Sequence, residues 1–121
     1  PRFMVETADA AERAFAGTSA SSFGHLGDGN VHFHVRAPRG TPDGPAWIAA
    51  QGKTISAFVH DAVVAAGGSI SAEHGIGQMK RAELGRLAGP ARLAALRAIK
   101  AAFDPQGIMN PDKLIPRADE G

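Results

Sequence analysis

Between Phe3 and Phe15 apolar residues recur at Met4, Ala8, Ala11 and Phe15, and Gly17-Thr18-Ser19 follows; this spacing predicts a short helix ending there. From Ser22 to Arg36 the rhythm changes. Two short runs flank Asp28-Gly29, a dipeptide suited to a type I′ turn because both central residues need positive φ, so a β-hairpin is predicted. A loop rich in Gly and Pro, APRGTPDGP, leads to Pro45, whose missing N–H is tolerated at a first helical position. Ile48, Ile55, Val59, Ala62 and Ala66 then mark one face of a long helix, which runs through Gly52 and stops at Gly67-Gly68. The brief apolar piece Ser69 to Ala72 reads as a buried strand delivering Glu73-His74-Gly75-Ile76-Gly77 into a turn. Two more helices are predicted, over 78–87 and, after Gly89-Pro90, over 91–103. Asp104-Pro105 ends the last of them, NPDKLIP closes the ordered chain with an Asn-Pro turn, and the tail RADEG is expected to be loose. These elements make an α+β chain. A hairpin and one short strand are little sheet for so many helices, so sequence outside this chain is expected to complete the sheet.

Composition narrows the classes. At 121 residues the chain is long enough for one core and too short for a cofactor domain plus a substrate domain. Lys plus Arg (13) nearly balance Asp plus Glu (12) and are spread along the chain, which argues against nucleic acid or a membrane surface as partner. Cysteine is absent, so any metal must be held by imidazole and carboxylate. No apolar run approaches the roughly 18 residues of a membrane span, and PRFMVETADAAERAF lacks the cationic-then-apolar order of a signal peptide, so a cytoplasmic module is expected. The opening Pro1-Arg2, without an initiator Met, hints at a piece of a longer chain.

With Asp28 and Gly29 as the two loop residues, His25 faces His32 across the hairpin. Directly opposed Cβ atoms lie about 4.5–5.5 Å apart, close enough for two imidazoles to converge on one ion. His34 shares that face. Three histidines there could equally form a solvated polar face, and a loop longer by one residue would put His25 and His32 on opposite faces. Glu73-His74 sits where the chain leaves an apolar strand. The pair could cap the next helix or bind Lys80 or Arg81; alternatively Gly75 and Gly77 expose backbone N–H groups suited to an anion such as a carboxylate.

Together HLGDGNVHFH and SAEHGIGQMK resemble the C-terminal domain of FAD-linked oxidases of the vanillyl-alcohol oxidase type, the group that holds D-lactate dehydrogenases, D-2-hydroxyglutarate dehydrogenase and the glycolate oxidase flavoprotein subunit. The resemblance runs from about Phe23 to Pro116. A third motif, DPQGIMNPDKLIP, is similar to that family's closing DP-x-x-x-x-NPGK-x-x-P signature. The resemblance implies the C-terminal part of a ferredoxin-like, antiparallel-sheet substrate (cap) domain. It implies that His25 and His32 of GH-x-GDGN-x-H bind a divalent metal, zinc or manganese, with Glu73 of EHG as third ligand, and that His74 is the acid–base residue beside the substrate. His34 stands where several members have a substrate-contacting Asn; Asn30 and Lys80 are further substrate-binding candidates. Asn110 and Lys113 are retained near the implied flavin, whereas Asp112 replaces the usual Gly of NPGK. The family binds FAD mainly through a separate N-terminal domain with a glycine-rich phosphate loop, which has no counterpart in this sequence. This chain alone is therefore expected to lack flavin and activity, to work with the FAD-binding domain of the same protein, and to pair an open sheet edge in trans as a homodimer or a swapped assembly.

The chemistry agrees with the residues. Oxidising a 2-hydroxy acid removes the hydroxyl proton and a hydride from the same carbon; a chelated divalent ion lowers the alcohol's pKa while a neutral histidine takes the proton. Two other classes remain open on sequence grounds: a metal-binding or regulatory module without catalysis, and a subunit-interaction domain, which leaves Glu73-His74 and the GDGN turn without a purpose.

Overall fold

A computed structural model describes residues 1–117, which form four helices and a two-stranded antiparallel sheet, the expected α+β composition. The chain falls into two compact units, Pro1–Ala72 and the residues from Glu73 onward. Apart from Arg117, the tail RADEG lies outside the described residues.

The first unit opens with helix α1 (Arg2–Ala14), one residue earlier at each end than the spacing predicted. It buries Thr7 and Ala11, one turn apart on the face that Met4, Ala8 and Phe15 half-bury. That face packs on strand β1 (Ser19–Phe23) and on helix α2 (Gly44–Ala65). Two contacts fix it: the Glu12 carboxylate accepts the Ala20 amide at 2.7 Å, and Phe15 meets Phe58 edge-on with ring centroids 5.5 Å apart. Strand β2 (His32–Arg36) completes the hairpin, and a single turn of 3-10 helix, Leu26–Asp28, lies between the strands.

Helix α2 starts as predicted, with Pro45 in its first turn and the Asp43 carboxylate accepting the Ala46 amide at 2.9 Å, which satisfies one of the orphan N–H groups of a helix start. Only the middle of its predicted stripe is covered. Ile55 is buried and Phe58, Val59 and Ala62 are half-buried, but Ile48 is 63% exposed and Ala66 lies open. The stop works through Gly67, at φ 75°. Its amide donates to the Val64 carbonyl and that of Gly68 to the Val63 carbonyl, the paired bonds of a Schellman cap.

The strand expected over Ser69 to Ala72 does not form. There the Ser69 hydroxyl donates to the Ser71 carbonyl at 3.2 Å and accepts the Ser71 amide at 3.1 Å. Such local side-chain bonds compete with a strand ladder for the same backbone groups.

In the second unit, helix α3 (Arg81–Leu87) begins three residues later than predicted, because residues 77–80 form a turn in which Lys80 N–H reaches the Ile76 carbonyl. Helix α4 (Pro90–Phe103) follows with Pro90 in its first turn. Among the described residues of this unit Leu84, Leu93 and Pro116 are buried. The closing segment returns to these helices: a Cβ on Gly85 would lie 3.1 Å from the Pro116 ring, and the Arg97 guanidinium donates to the Pro116 and Arg117 carbonyls.

Asp104, predicted only to break α4, holds the next turn together. Its side chain is 4% exposed, pairs with the Lys100 ammonium, and accepts the amides of Ile108 at 3.0 Å and Met109 at 2.9 Å. The hydrogen bond from Lys100 is the main reason its carboxyl titrates below the ordinary value; burial works the other way, and the two backbone amides add to the lowering. A depressed carboxyl stabilises the folded form above the unfolded-state value, about 4, and that contribution is lost as pH falls through the folded value. Acidification below about pH 4 should therefore loosen this turn, and Asp104→Asn should remove much of that acid sensitivity while lowering the melting temperature at neutral pH. Melting curves of both proteins across pH 2–7 read this; parallel acid limbs would exclude Asp104 as the responsible group.

Candidate active site

In the hairpin Phe23 pairs with His32, Ser21 with His34 and Ser19 with Arg36. The expected register, with His25 opposite His32 across a two-residue turn, is thus corrected. The strands end at Phe23 and His32, and His25 lies in the intervening loop as the residue before the 3-10 turn. The loop is organised by the His25 carbonyl, which accepts the amides of Asp28 at 3.0 Å and Asn30 at 3.2 Å. Gly29 takes the left-handed conformation, at φ 72°, but Asp28 ends the 3-10 turn without positive φ, so the type I′ turn expected of the Asp-Gly pair does not form. Gly24 allows the chain to close on itself, since a Cβ there would stand 2.3 Å from the Asn30 carbonyl oxygen. Gly24→Ala should destabilise the hairpin by about 1–3 kcal/mol. Urea unfolding checks this, and a change within error would show that the loop has another way to close.

His32 and His34 do share a face, as alternation requires, and it is the exposed one; Phe33 and Val35 point the opposite way and are half-buried. Phe23 lies on the same exposed face and stacks on both imidazoles, with ring centroids 5.3 Å away in each case and interplanar angles of 23° for His32 and 9° for His34. Sequence reasoning passed over Phe23. The signal was present, since a large apolar residue falls in the polar phase of SASSF. His25 is exposed, and Asn30 is half-buried.

In the second unit His74 is 91% exposed and its Nε2 is 3.9 Å from a Glu73 carboxylate oxygen; the Glu73 side chain is 39% exposed. Gly75 and Gly77 both take positive φ, so a tight turn follows as expected. That turn meets the closing motif, because the Leu114 amide donates to the Gly77 carbonyl at 3.2 Å. Asn110, Asp112 and Leu114 alternate through positive φ. Asp112 thus occupies a left-handed position, the conformation for which a glycine is suited, and its carboxylate is held by Arg117, while its carbonyl accepts from Arg81 at 2.9 Å. The Arg117 bonds hold the Asp112 carboxyl below its ordinary range. Lys113 borders a shallow depression with Gln78, Arg81 and Asp112, Asn110 is exposed in the same turn, and half-buried Lys80 precedes α3.

The structure thus groups His32 with His34, Glu73 with His74, and the EHG turn with the closing segment. Among the described residues no three His, Asp or Glu side chains stand together as a metal site.

Residues 1–114 match the family described as FAD linked oxidases, C-terminal domain. The chain belongs to this family. A D-2-hydroxyglutarate dehydrogenase of Stutzerimonas stutzeri is 43% identical over 94 residues, 76% of this chain and 19% of that protein. One of Xanthomonas citri is 35% identical over 119 residues, 98% of this chain and 25% of its own length. The glycolate oxidase subunit GlcD of Bacillus subtilis is 33% identical over 99 residues, 82% of this chain and 20% of that subunit. The chain therefore spans about a fifth to a quarter of these relatives' length.

Of the ligands the resemblance implied, His25 and His32 are exposed in the first unit and the Glu73 carboxylate is partly exposed in the second, and none of these donors is a thiolate. For the flavin, the exposed amide of Asn110 and ammonium of Lys113 are polar groups of the right kind, on a turn tied down by Arg81 and Arg117. No helix among the described residues is long and apolar enough to cross a membrane.

Proposed function

We propose that the full-length protein carrying this chain is an FAD-dependent dehydrogenase or oxidase of 2-hydroxy acids, of the D-lactate, glycolate or 2-hydroxyglutarate class. The observation that carries the reading is the family match over residues 1–114, which takes in every proposed site residue from His25 to Lys113. Relatives named for 2-hydroxyglutarate and glycolate support the substrate class.

In this reading His25, His32 and Glu73 hold a divalent metal, zinc or manganese. The ion, when bound, makes the substrate hydroxyl more acidic; the flavin, held mainly by the FAD-binding domain of the same protein, supplies the two-electron acceptor. The chain's own residues do the rest. His74 takes the hydroxyl proton on an imidazole nitrogen. His34 and Asn30 contact the substrate, and Lys80 faces its carboxylate with positive charge. Asn110 and Lys113 lie near the flavin. The proposed compartment is the cytoplasm, although relatives such as that of Bos taurus are named as mitochondrial.

The test is direct. Purified full-length protein, with flavin bound, is offered D-lactate, glycolate and D-2-hydroxyglutarate in turn with an artificial dye as electron acceptor. Dye reduction with at least one acid is expected. A flavin-loaded protein inert toward all three would overturn the reading.

A further inference from the structure

We propose that the outward face of α4, with the turn that follows it, is the surface on which this chain docks against the FAD-binding domain of the same polypeptide; this rests on the functional reading above. The charges of the helix carry the first step. The Arg97 guanidinium donates to the Pro116 and Arg117 carbonyls, and the Lys100 ammonium bonds to the Asp104 carboxylate and the Met109 carbonyl. Leu93 is buried on that same side, so α4 turns its charges inward, onto its own unit.

The opposite side is apolar. Ala95, Ile99, Ala102 and Phe103 succeed one another at helical spacing and all are exposed, Ile99 by 57% and Phe103 by 82%. This inverts the arrangement of a surface helix, whose polar face meets water; a helix apolar on its outer side as well as its inner one is made to be buried. The next turn extends the face. Asp104 accepts the amides of Ile108 and Met109, which brings both residues to the C-terminal end of α4, and they too stand open, by 72% and 58%. Large apolar side chains gathered in this way mark an interaction surface rather than the scattered exposure that any protein shows.

Two observations point to the occupant. The family matched is a C-terminal domain, and the matched residues make up 19% and 25% of the Stutzerimonas and Xanthomonas relatives, so three quarters or more of such a polypeptide is there to return onto this segment. The second is continuity along the chain. Ile108 and Met109 run directly into Asn110, with Lys113 in the same turn, and the functional reading sets both beside the flavin. The domain that carries the flavin then lies against this end of the unit, where the apolar face is.

The test uses the full-length flavoprotein. In Phe103→Cys, a maleimide should label the thiol at least about tenfold more slowly in the native protein than in urea-unfolded protein, because a covered position reacts only on local opening. Mass spectrometry of the peptide that holds residue 103 follows the labelling. A photoreactive benzophenone side chain at the same position should cross-link within one polypeptide, to peptides of the FAD-binding domain. Phe103→Glu sets a charge in the contact and should raise the rate of FAD release by about tenfold or more, whereas Phe103→Leu, still apolar, should stay within about twofold of wild type. Labelling at the unfolded rate would overturn the docking face. Cross-links confined to a second copy or to the substrate domain would overturn the choice of occupant, as would unchanged FAD release in Phe103→Glu. Labelling and cross-linking need no substrate, so a flavin-loaded protein inert toward all three acids removes the functional reading while these results still decide the face.

Discussion

Replacing His74 by asparagine in the full-length protein is expected to lower kcat by about 10²–10⁴, the usual worth of a positioned acid–base group, with metal content intact. The structure makes this a clean substitution. His74 is 91% exposed in its unit and approaches Glu73 at a long 3.9 Å, so the fold loses little when the ring goes. Surface replacements of that kind usually move stability by less than about 0.5 kcal/mol. Asparagine keeps hydrogen-bonding capacity but cannot accept the hydroxyl proton, so substrate binding should persist while turnover falls. Proton removal should then limit the rate, and the solvent deuterium isotope effect on kcat should grow. Near-normal kcat in the variant would assign the base elsewhere, with His34 the first residue to examine.

The first two helices were legible because each carries both a 3.6-residue period and a chemical stop. Gly67-Gly68 after α2 is the clearest case: two glycines past the last apolar turn supply the left-handed residue and the two amides of the cap. Strand content was legible where alternation was strong, over His32 to Arg36, and misread over Ser69 to Ala72, where serine hydroxyls divert the backbone. The hairpin was half legible. Asp28-Gly29 marked the reversal, but the pairing shifted by two residues because Gly24 lets the chain approach Asn30 and the His25 carbonyl gathers two amides into a longer loop. An even shift preserves the faces. That is why His32 and His34 remained together although the partner of His32 changed from His25 to Phe23.

Motif order revealed the family better than periodicity could. The imidazole and carboxylate positions are set by residues with no period, and their meaning came from the order of GH-x-GDGN-x-H, EHG and DP-x-x-x-x-NPDK along the chain. The interactions that hold those motifs were hidden, because they join residues distant in sequence. Arg81 bonds to the Asp112 carbonyl, Arg97 to the Pro116 carbonyl, and Leu114 to Gly77. Asp104 shows the same limit at short range: as part of Asp104-Pro105 it signals a break, while its buried carboxylate, with its lysine and two amides, is visible only in three dimensions.

His25→Ala and His32→Ala should each reduce bound zinc or manganese in the full-length protein by more than about tenfold and lower activity in step, because each removes one of three proposed ligands; even groups behind a ligand commonly matter by about 10–100-fold. The two positions test the site from different structural settings. His25 shapes its loop through its backbone carbonyl, which alanine retains, so the loop should survive loss of the imidazole. His32 lies on the exposed face of β2, where alanine costs the sheet a stack on Phe23 but no core packing. Hairpin stability should therefore change little in either variant while metal content falls. His60→Ala, on α2, is the control: it removes a histidine outside the three motifs and should leave metal content unchanged. Elemental analysis of the three purified variants decides the matter. Full occupancy in both His25→Ala and His32→Ala would move the metal away from the hairpin, and a loss in His60→Ala equal to theirs would mean that the count follows general histidine affinity rather than a site.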